Sequence, residues 1–346
     1  MDCHAAQERH AMTASGGGIL SDHLNGEHFM RLTRRRALAS LACLALAPTA
    51  RAAKPPSPAQ APSFYRTKIG EIEITAASDG TGTRKLEGFV RNVPDAEVKA
   101  ALAEAFLRTD VFSTNYNPIL INTSGKLLLI DSGNGDLGAS DNGLLLESLA
   151  AAGVRPQDID AVVFSHFHPD HINGARHQNG TFLFPNAEIM VPEVEWAFWM
   201  NDDHAAQAPA GLQATFHNVR RVFGPIVRDV TRYAWNREVA PGVLALGAPG
   251  HTPGHTVFAI TSGDQRFMMM SDITNNTSVF VRHPDWSMIL DQDGEQARQT
   301  RHRMLDLAAS ERMQCAFYHA PFPATGYIAR DGASYQFVPA TWAPRL

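Results

Sequence analysis

Cysteine is scarce in this sequence, and an excess of positive charge is missing. Three cysteines in 346 residues exclude a disulfide framework and leave no room for a thiolate metal site. The 30 Lys and Arg residues are outnumbered by 35 Asp and Glu residues, for a net charge of −5. Because phosphate backbones are held chiefly by Lys and Arg, this balance predicts no nucleic-acid partner. Hydrophobic residues make up 44% of the chain, which excludes a disordered protein.

The N-terminal region lacks an apolar run long enough to span a bilayer, which takes ~20 residues. Its apolar run covers residues 37–47 and follows the basic stretch of residues 31–36. The small-residue site Ala50-Arg51-Ala52 comes next, and this three-part layout is typical of a secretory signal. Residues 33–38 also resemble a twin-arginine export signal, with a plain Sec signal as the alternative.

These features predict three segments. Residues 1–53 form an N-terminal extension and export signal cleaved near Ala52, residues 54–63 a proline-rich linker, and residues 64–346 the folded domain. The protein is therefore expected in the periplasm or outside the cell, with no stable membrane anchor after cleavage. The mature chain would keep 24 basic and 31 acidic residues, a net charge of −7, which favours neutral or weakly charged substrates.

The remaining sequence predicts strands that alternate with helices. Residues 119–130 contain two apolar runs joined by a turn with a glycine, which predicts a β-hairpin. Val98, Leu102 and Phe106 recur at four-residue spacing, which predicts a helix with these side chains on one face. Residues 159–164 predict a buried strand. Short strands with intervening helices indicate a layered α/β domain.

A cluster of potential metal ligands follows that buried strand directly. His166, His168, Asp170 and His171 form the pattern His-x-His-x-Asp-His, and a tight turn can aim all four at one small volume. A histidine-rich surface loop is the alternative interpretation. Imidazole and carboxylate ligands without thiolate favour zinc, with manganese, iron or cobalt as alternatives.

Three more candidate ligands end other apolar runs. His251, Asp272 and His319 each follow a predicted strand, and strand ends at one edge of a sheet are where α/β proteins gather their sites. Together with the loop they make seven candidates, enough for two metals and too many for one tetrahedral site. His255 lies four residues after His251, and a structural role is expected for it.

The seven residues in this order resemble the metallo-β-lactamase superfamily. The resemblance implies an αββα sandwich, with two central mixed β-sheets flanked by helices and a two-metal site at one edge of the sheets. Asp131, after the predicted strand of residues 126–130, would orient a ligand histidine. The resemblance implies that the first metal is held by His166, His168 and His251, the second by Asp170, His171 and His319, and that Asp272 bridges them.

The flanking sequence contains further short motifs at residues 64–66, 74–81, 184–187, 198–199 and 337–339. These motifs resemble methyl parathion hydrolase and related lactonase-like enzymes. This closer resemblance implies a homodimer and an aromatic substrate pocket, in which Trp199 would lie. The alternative places Trp199 in the core of a helix over residues 194–200. Asn275 stands where homoserine-lactone lactonases often carry a tyrosine that helps to bind substrate.

These resemblances imply an exported hydrolase with two zinc ions. Two divalent ions acidify a shared water from its bulk pKa of ~15.7 toward neutrality, and the resulting hydroxide would attack the substrate. Asp170 and Asp272 would be the catalytic carboxylates. The expected substrates are small neutral lactones, aryl esters or organophosphate triesters. The alternatives are an acyl-homoserine lactonase, a β-lactamase, or an iron-containing oxidoreductase of the sulfur dioxygenase type.

Overall fold

The computed structural model of the chain describes residues 60–346. The chain divides into two units, Met1–Ala59 and Gln60–Leu346, and the architecture below is that of the second. The predicted export segment and most of the predicted linker lie outside the described residues, so both stay predictions. Within residues 60–346, no helix is long and apolar enough to cross a membrane.

One seven-stranded sheet carries the N-terminal half of the described chain. Its strands lie in the spatial order β1-β2-β5-β6-β7-β8-β9, antiparallel as far as β6 and parallel from there on. The predicted hairpin is confirmed, because Thr123 lies opposite Lys126 where β5 turns into β6. The strands are β1 (Phe64–Ile69), β2 (Ile72–Ala77), β5 (Ile119–Thr123), β6 (Lys126–Ile130), β7 (Ala161–Val163), β8 (Glu188–Pro192) and β9 (Val230–Tyr233).

A second seven-stranded sheet carries the C-terminal half, with its strands in sequence order. All neighbours are antiparallel except β13 and β14, which run parallel. Its strands are β10 (Arg237–Ala240), β11 (Val243–Gly247), β12 (Thr256–Ser262), β13 (Gln265–Met269), β14 (Gln314–Ala316), β15 (Thr325–Asp331) and β16 (Ser334–Pro339). A separate two-stranded ribbon pairs β3 (Gly80–Lys85) with β4 (Val111–Tyr116).

Eight α-helices occur in the described part of the chain. They are α1 (Asp95–Glu104), α2 (Leu145–Ala151), α3 (Pro169–Ile172), α4 (Glu193–Trp199), α5 (Asp202–Gln207), α6 (Ala210–Phe223), α7 (Thr277–Phe280) and α8 (Gly294–Ser310). The predicted helix through Val98 and Leu102 is present, and both side chains are buried. The prediction for Phe106 was wrong: α1 ends before it, and Phe106 is 97% exposed with a left-handed φ of 57°.

Three apolar clusters show how the layers pack. One lies between the two sheets and includes Ile121, Val163 and Phe258. A second joins the outer face of the first sheet to α2, α4 and α6, and a third joins the outer face of the second sheet to α8. Helix, sheet, sheet and helix therefore form four layers, and the predicted αββα metallo-β-lactamase fold is confirmed.

The fold brings the ends of several strands to one edge. The chain leaves β6 at Asp131, and it leaves β7 just before the histidine motif. In the second sheet, β11, β13 and β14 end shortly before His251, Asp272 and His319. Polar residues that are far apart in sequence therefore meet where the two sheets adjoin.

The packing between the sheets predicts a large cost for opening a cavity there. Phe258→Ala removes a fully buried ring, and we expect a loss of about 3–5 kcal/mol in the free energy of unfolding. Phe106→Ala is the matched control, since it removes the same atoms from an exposed position, and its effect should stay within about 0.5 kcal/mol. Urea denaturation of both variants measures this, and equal losses would contradict the assignment of the core.

Candidate metal centre

The histidine motif occupies a loop and one helical turn after β7. His168 has extended backbone angles, and Pro169 then begins α3, because proline is well suited to the first position of a helix. His166 and His171 are fully buried, whereas Asp170 keeps 8% of its surface exposed. The abrupt change from extended loop to helix turns neighbouring side chains toward a common centre.

The structure brings all seven candidate residues together in two groups. In each group the potential ligand atoms lie within 4.8 Å of one another. One group therefore combines residues of the histidine motif with residues that follow two strands of the second sheet. The other group combines residues of the motif with a residue that follows a third strand of that sheet. The first group is His166, His168, His251 and Asp272, and the second is Asp170, His171 and His319.

The carboxylate of Asp272 lies between the two groups. Its Oδ2 is 3.2 Å from His251 Nε2 and 3.0 Å from His319 Nε2, and its Oδ1 is 3.2 Å from His171 Nε2. Ligand atoms around a tetrahedral zinc, with bonds of about 2.0–2.2 Å, are separated by roughly 3.3 Å. The spacing around Asp272 therefore suits a carboxylate shared by two cations.

Unpaired nitrogen atoms give a second reason to expect cations here. Nε2 of His166, His171 and His251 is buried. Two of these atoms lie 3.2 Å from Asp272, but none makes a well-directed hydrogen bond within residues 60–346. Buried polar atoms without partners are rare and costly in folded proteins. These atoms surround a carboxylate that is itself buried, so the donor set fits a divalent metal pair.

The opposite ring nitrogens are held by acceptors outside the cluster. His171 Nδ1 lies 2.8 Å from Asp131 Oδ2, and His319 Nδ1 lies 2.7 Å from a backbone carbonyl oxygen, that of Asn115. His251 Nδ1 lies 2.9 Å from Asp291 Oδ1. A histidine that donates from Nδ1 offers the lone pair of Nε2 to a metal, so these contacts set the ring orientation.

Asp131 occupies the position that the resemblance implies for an orienting carboxylate. It also accepts hydrogen bonds from Ser165 N at 2.8 Å and from Ser165 Oγ at 2.7 Å. Its backbone has a left-handed φ of 64°, which non-glycine residues adopt at a cost. The three hydrogen bonds hold the strained residue in place beside His171.

Burial and neighbouring charges together set the protonation of the histidines and of Asp272. Burial dominates at His166 and His168 and lowers the pKa of both, which keeps these rings neutral. Burial also opposes a charge on His251, but its contacts with Asp272 and Asp291 outweigh burial and raise its pKa to about 9. Burial opposes ionisation of Asp272, yet the neighbouring histidines hold its pKa well below the usual range. A bound cation would replace the proton on such a ring.

His255 hydrogen-bonds to the backbone of Asp272, which agrees with the structural role expected for it. Its Nδ1 donates to the carbonyl oxygen of Ala248 at 2.9 Å, and its Nε2 accepts from the backbone N–H of Asp272 at 3.0 Å. Burial lowers the pKa of His255 to about 3, so the ring stays neutral. Both ring nitrogens are engaged, and neither is free to bind a metal.

Glu195 is a supporting residue that the sequence analysis missed. Its carboxylate is fully buried and accepts from the N–H of Phe167 at 3.0 Å and that of Gly254 at 2.7 Å. Burial raises its pKa against the effect of these hydrogen bonds. A side chain at Gly254 would meet the backbone of Glu195 at 2.2 Å. Glu195 therefore links the loop of His166 to the loop of His251. The sequence did contain a signal for this role, because Glu195 is a charged residue on the apolar face of a predicted helix.

Asp291 is a second supporting residue that the sequence did not reveal. It is held by the buried guanidinium of Arg301 at 3.7 Å and accepts from Met288 N at 3.2 Å. The guanidinium of Arg301 also donates to the backbone carbonyl oxygens of Ile273 and Trp286. No motif near Asp291 marks it, because its partner His251 lies 40 residues earlier.

Trp199 lies in the hydrophobic core and does not line the substrate pocket that the resemblance implies. Trp199 is fully buried, packs on Phe216 with ring centroids 4.6 Å apart, and donates from Nε1 to Glu195 at 2.8 Å. Its bulk and its apolar surroundings on α4 and α6 explain this placement. It contributes to the site only by holding Glu195.

A cavity of about 840 Å³ opens beside the cluster. His168, Asp170 and Asp272 line it, together with Asn275. Asn275 is 2% exposed, and its Oδ1 has no hydrogen-bond partner among the described residues. The cavity therefore gives a small organic molecule direct access to the proposed metal ligands.

Comparison with known proteins agrees with this geometry. The family model of the metallo-beta-lactamase superfamily matches residues 114–312. The chain belongs to this superfamily.

An N-acyl homoserine lactonase from a Bacillus species is 26% identical over 157 residues, which is 39% of this chain and 54% of the relative. The N-acyl homoserine lactonase AiiB of Agrobacterium fabrum is 28% identical over 185 residues, 51% of this chain and 63% of the relative. The matches therefore span between half and two thirds of these curated relatives.

Two solved structures are similar over more of this chain. The dizinc quorum-quenching lactonase AidC, solved with the product N-hexanoyl-homoserine, is 29% identical with a TM-score of 0.76, and the match covers 82% of this chain and 99% of that one. The hydrolase AbOPH is 28% identical with a TM-score of 0.77, covering 82% of this chain and all of that one. Both similarities extend well beyond the histidine motif.

Removal of the Glu195 carboxylate should loosen the metal centre without touching a proposed ligand. Glu195→Ala leaves buried N–H groups without acceptors, at about 1–3 kcal/mol each, and should lower metal affinity by roughly 10–100-fold. Glu195→Gln keeps one acceptor oxygen and should show a smaller loss. Thermal unfolding and competition with a chelator measure the two effects.

Glu193→Ala is the matched control, because Glu193 lies on the same helix and is exposed. It should keep both the melting temperature and the metal affinity. Wild-type metal affinity in a folded Glu195→Ala protein would contradict the supporting role.

Proposed function

We propose that this protein is a metal-dependent hydrolase with a dinuclear zinc centre that opens lactones or cleaves aryl esters. The observation that carries the proposal is the convergence of seven ligand-type side chains in two groups, three of which line one cavity. The similarity to lactonases supports the same reaction class.

The ligand roles follow the two groups. The first cation would be held by His166, His168 and His251, the second by Asp170, His171 and His319, and both by Asp272. When bound, two divalent cations supply Lewis acidity toward the substrate oxygen and lower the pKa of a coordinated water toward neutrality. Neutral imidazoles and carboxylates without thiolate favour zinc among the divalent metals.

Asp170 is the carboxylate best placed to orient the attacking water. It lines the cavity, and its Oδ2 lies 3.5 Å from His319 Nε2. The hydroxyl of Tyr318 donates to the backbone carbonyl oxygen of Asp170 at 2.6 Å and fixes the start of α3. A carboxylate held at this position would accept a hydrogen bond from the attacking water and orient that water toward the substrate.

Asn275 is a polar group next to the proposed ligands whose side-chain oxygen has no hydrogen-bond partner in the described residues. It lines the cavity three chain positions beyond Asp272. An amide can donate to a substrate carbonyl or accept from a substrate N–H. We assign it to substrate positioning, where the resembling homoserine-lactone lactonases often carry tyrosine.

Small lactones are the first substrate class to test, since the two curated relatives named above are N-acyl homoserine lactonases. Aryl esters and phosphotriesters belong to the same proposal, because a tetrahedral or trigonal-bipyramidal transition state at either centre develops negative charge on an oxygen. The closer resemblance to methyl parathion hydrolase supports this extension.

Export and dimerisation complete the proposal. The basic segment and small-residue site within residues 1–53 support removal of a leader near Ala52 and a periplasmic or secreted enzyme. The resemblance to dimeric relatives supports a homodimer.

Removal of metal should abolish hydrolysis reversibly. We expect about two metal ions per chain by elemental analysis, loss of lactone and aryl-ester hydrolysis after chelation, and recovery when Zn²⁺ is added. Asp272→Ala should bind fewer ions and lose at least about 100-fold in kcat/KM, since a metal contributes several kcal/mol to the barrier.

His217→Ala is the control, because His217 is an exposed histidine on α6. It should retain both ions and full activity. A stoichiometry of one or none, or an Asp272→Ala variant that hydrolyses at the wild-type rate, would refute the dinuclear mechanism.

A further inference from the structure

The carboxylates that line the cavity are all engaged in structure or in the proposed metal site. Asp170 and Asp272 belong to the two ligand groups. Asp291, the third acidic residue of the cavity wall, binds His251 and the buried guanidinium of Arg301. Their negative charge is therefore neutralised locally and does not set the charge that a substrate meets.

Two arginines line the same cavity and are not engaged. Arg84 and Arg91 are exposed, and no carboxylate of residues 60–346 lies within 4.0 Å of either guanidinium. The cavity wall described here carries no other Arg and no Lys. Although the chain as a whole is acidic, the free charge in this cavity is positive.

Rigid backbone holds both arginines in position. Arg84 lies on β3 opposite Phe112 of β4, and Phe112 is fully buried. The backbone N–H of Arg91 donates to the carbonyl oxygen of Ser287 at 2.8 Å. The preceding residue, Val90, pairs with Met288, which also lines the cavity. The guanidinium groups therefore project from two tied segments and not from free loop tips.

An apolar surface shares the cavity with the arginines. Leu212, Met288, Ile289 and Leu290 line it, and Ile289 keeps 47% of its surface exposed. A ligand that suits this wall has an apolar chain as well as a negative charge. Guanidinium groups pair with carboxylates through parallel N–H···O hydrogen bonds, which gives direction as well as attraction.

We propose that the cavity selects esters or lactones that carry a carboxylate at the end of their acyl chain remote from the scissile bond. Arg84 and Arg91 bind that carboxylate, and the apolar wall holds the chain between it and the metal centre. This inference rests on the proposed hydrolase function and departs from the small neutral substrates expected from the sequence. The arginines determine specificity and take no part in bond cleavage.

Two esters that differ in one group test the proposal. We would compare 4-nitrophenyl hexanoate with mono-4-nitrophenyl adipate, in which a carboxylate replaces the terminal methyl group, on the zinc-loaded full chain. The ratio of kcat/KM, adipate to hexanoate, should be about fivefold in favour of adipate, as expected for a partly exposed ion pair. The difference should lie in KM, and it should shrink as salt is added.

Charge-removing variants assign the effect to the two arginines. Arg84→Met and Arg91→Met keep an apolar stem, and each should lower the adipate-to-hexanoate ratio, with the double variant near one. Lys85→Met is the matched control: Lys85 is an exposed cation on the same strand that lies outside the cavity lining, and its variant should keep the wild-type ratio. The proposal is overturned by a wild-type ratio of one or less, by arginine variants that keep the ratio, or by a Lys85→Met variant that lowers it equally.

A binding measurement separates this inference from the proposed function. Adipamate and hexanamide differ by the same carboxylate and carry no ester, so calorimetry can compare their Kd values for the zinc-loaded protein. Tighter binding of adipamate that Arg84→Met removes supports the inference even if neither ester is cleaved, an outcome that would refute the hydrolase proposal for esters. Equal binding of the two amides, or adipamate binding that Arg84→Met leaves unchanged, overturns the inference while ester hydrolysis stands.

Discussion

The buried carboxylate of Asp272 is the interaction on which the candidate site depends. It lies within 3.2 Å of imidazole nitrogens from both ligand groups. Without this shared negative charge, the five clustered histidines would repel one another whenever two of them gained a proton. His255 holds the backbone N–H of Asp272 and the protein surrounds the carboxylate, so its place is set before any cation arrives.

The same edge is reinforced by hydrogen bonds that join the two sheets. Ser165, after β7, contacts Asp131 of its own sheet and accepts from Ser271 Oγ of the other sheet at 2.7 Å. Glu195 adds a second link, because it accepts from N–H groups of both histidine loops. Such fully satisfied polar networks rigidify a buried region. A rigid frame is what a metal centre needs if its ligands are to keep their geometry while substrates come and go.

Much of the fold and the site could be predicted from local sequence. The hairpin ending at Ile130, the strand before His166 and the strand before Asp272 have apolar patterns that show them directly. The seven candidate ligands could be named because four form a dense motif after one such strand and the other three each follow another predicted strand. The partners of Glu195 and Asp291 could not be predicted, because they lie far away in the chain. The place of the cavity arginines could not be predicted either, because it depends on how strands and loops pack. For Phe106 the local pattern was misleading. Its spacing continues the apolar face of the helix, but the helix ends at Glu104.

The sequence by itself determined the order of strands and helices, the ligand types at the strand ends and the absence of thiolate chemistry, because these follow from side-chain chemistry and short-range periodicity. Only the tertiary structure decided which atoms meet. It placed Asp272 between two histidine groups, sent Trp199 to the core, and left Arg84 and Arg91 as the free charges of the cavity. The physical reason is that electrostatic environment depends on distance and burial. A net charge of −7 for the predicted mature chain says nothing about the sign at one wall, where every carboxylate already has a partner.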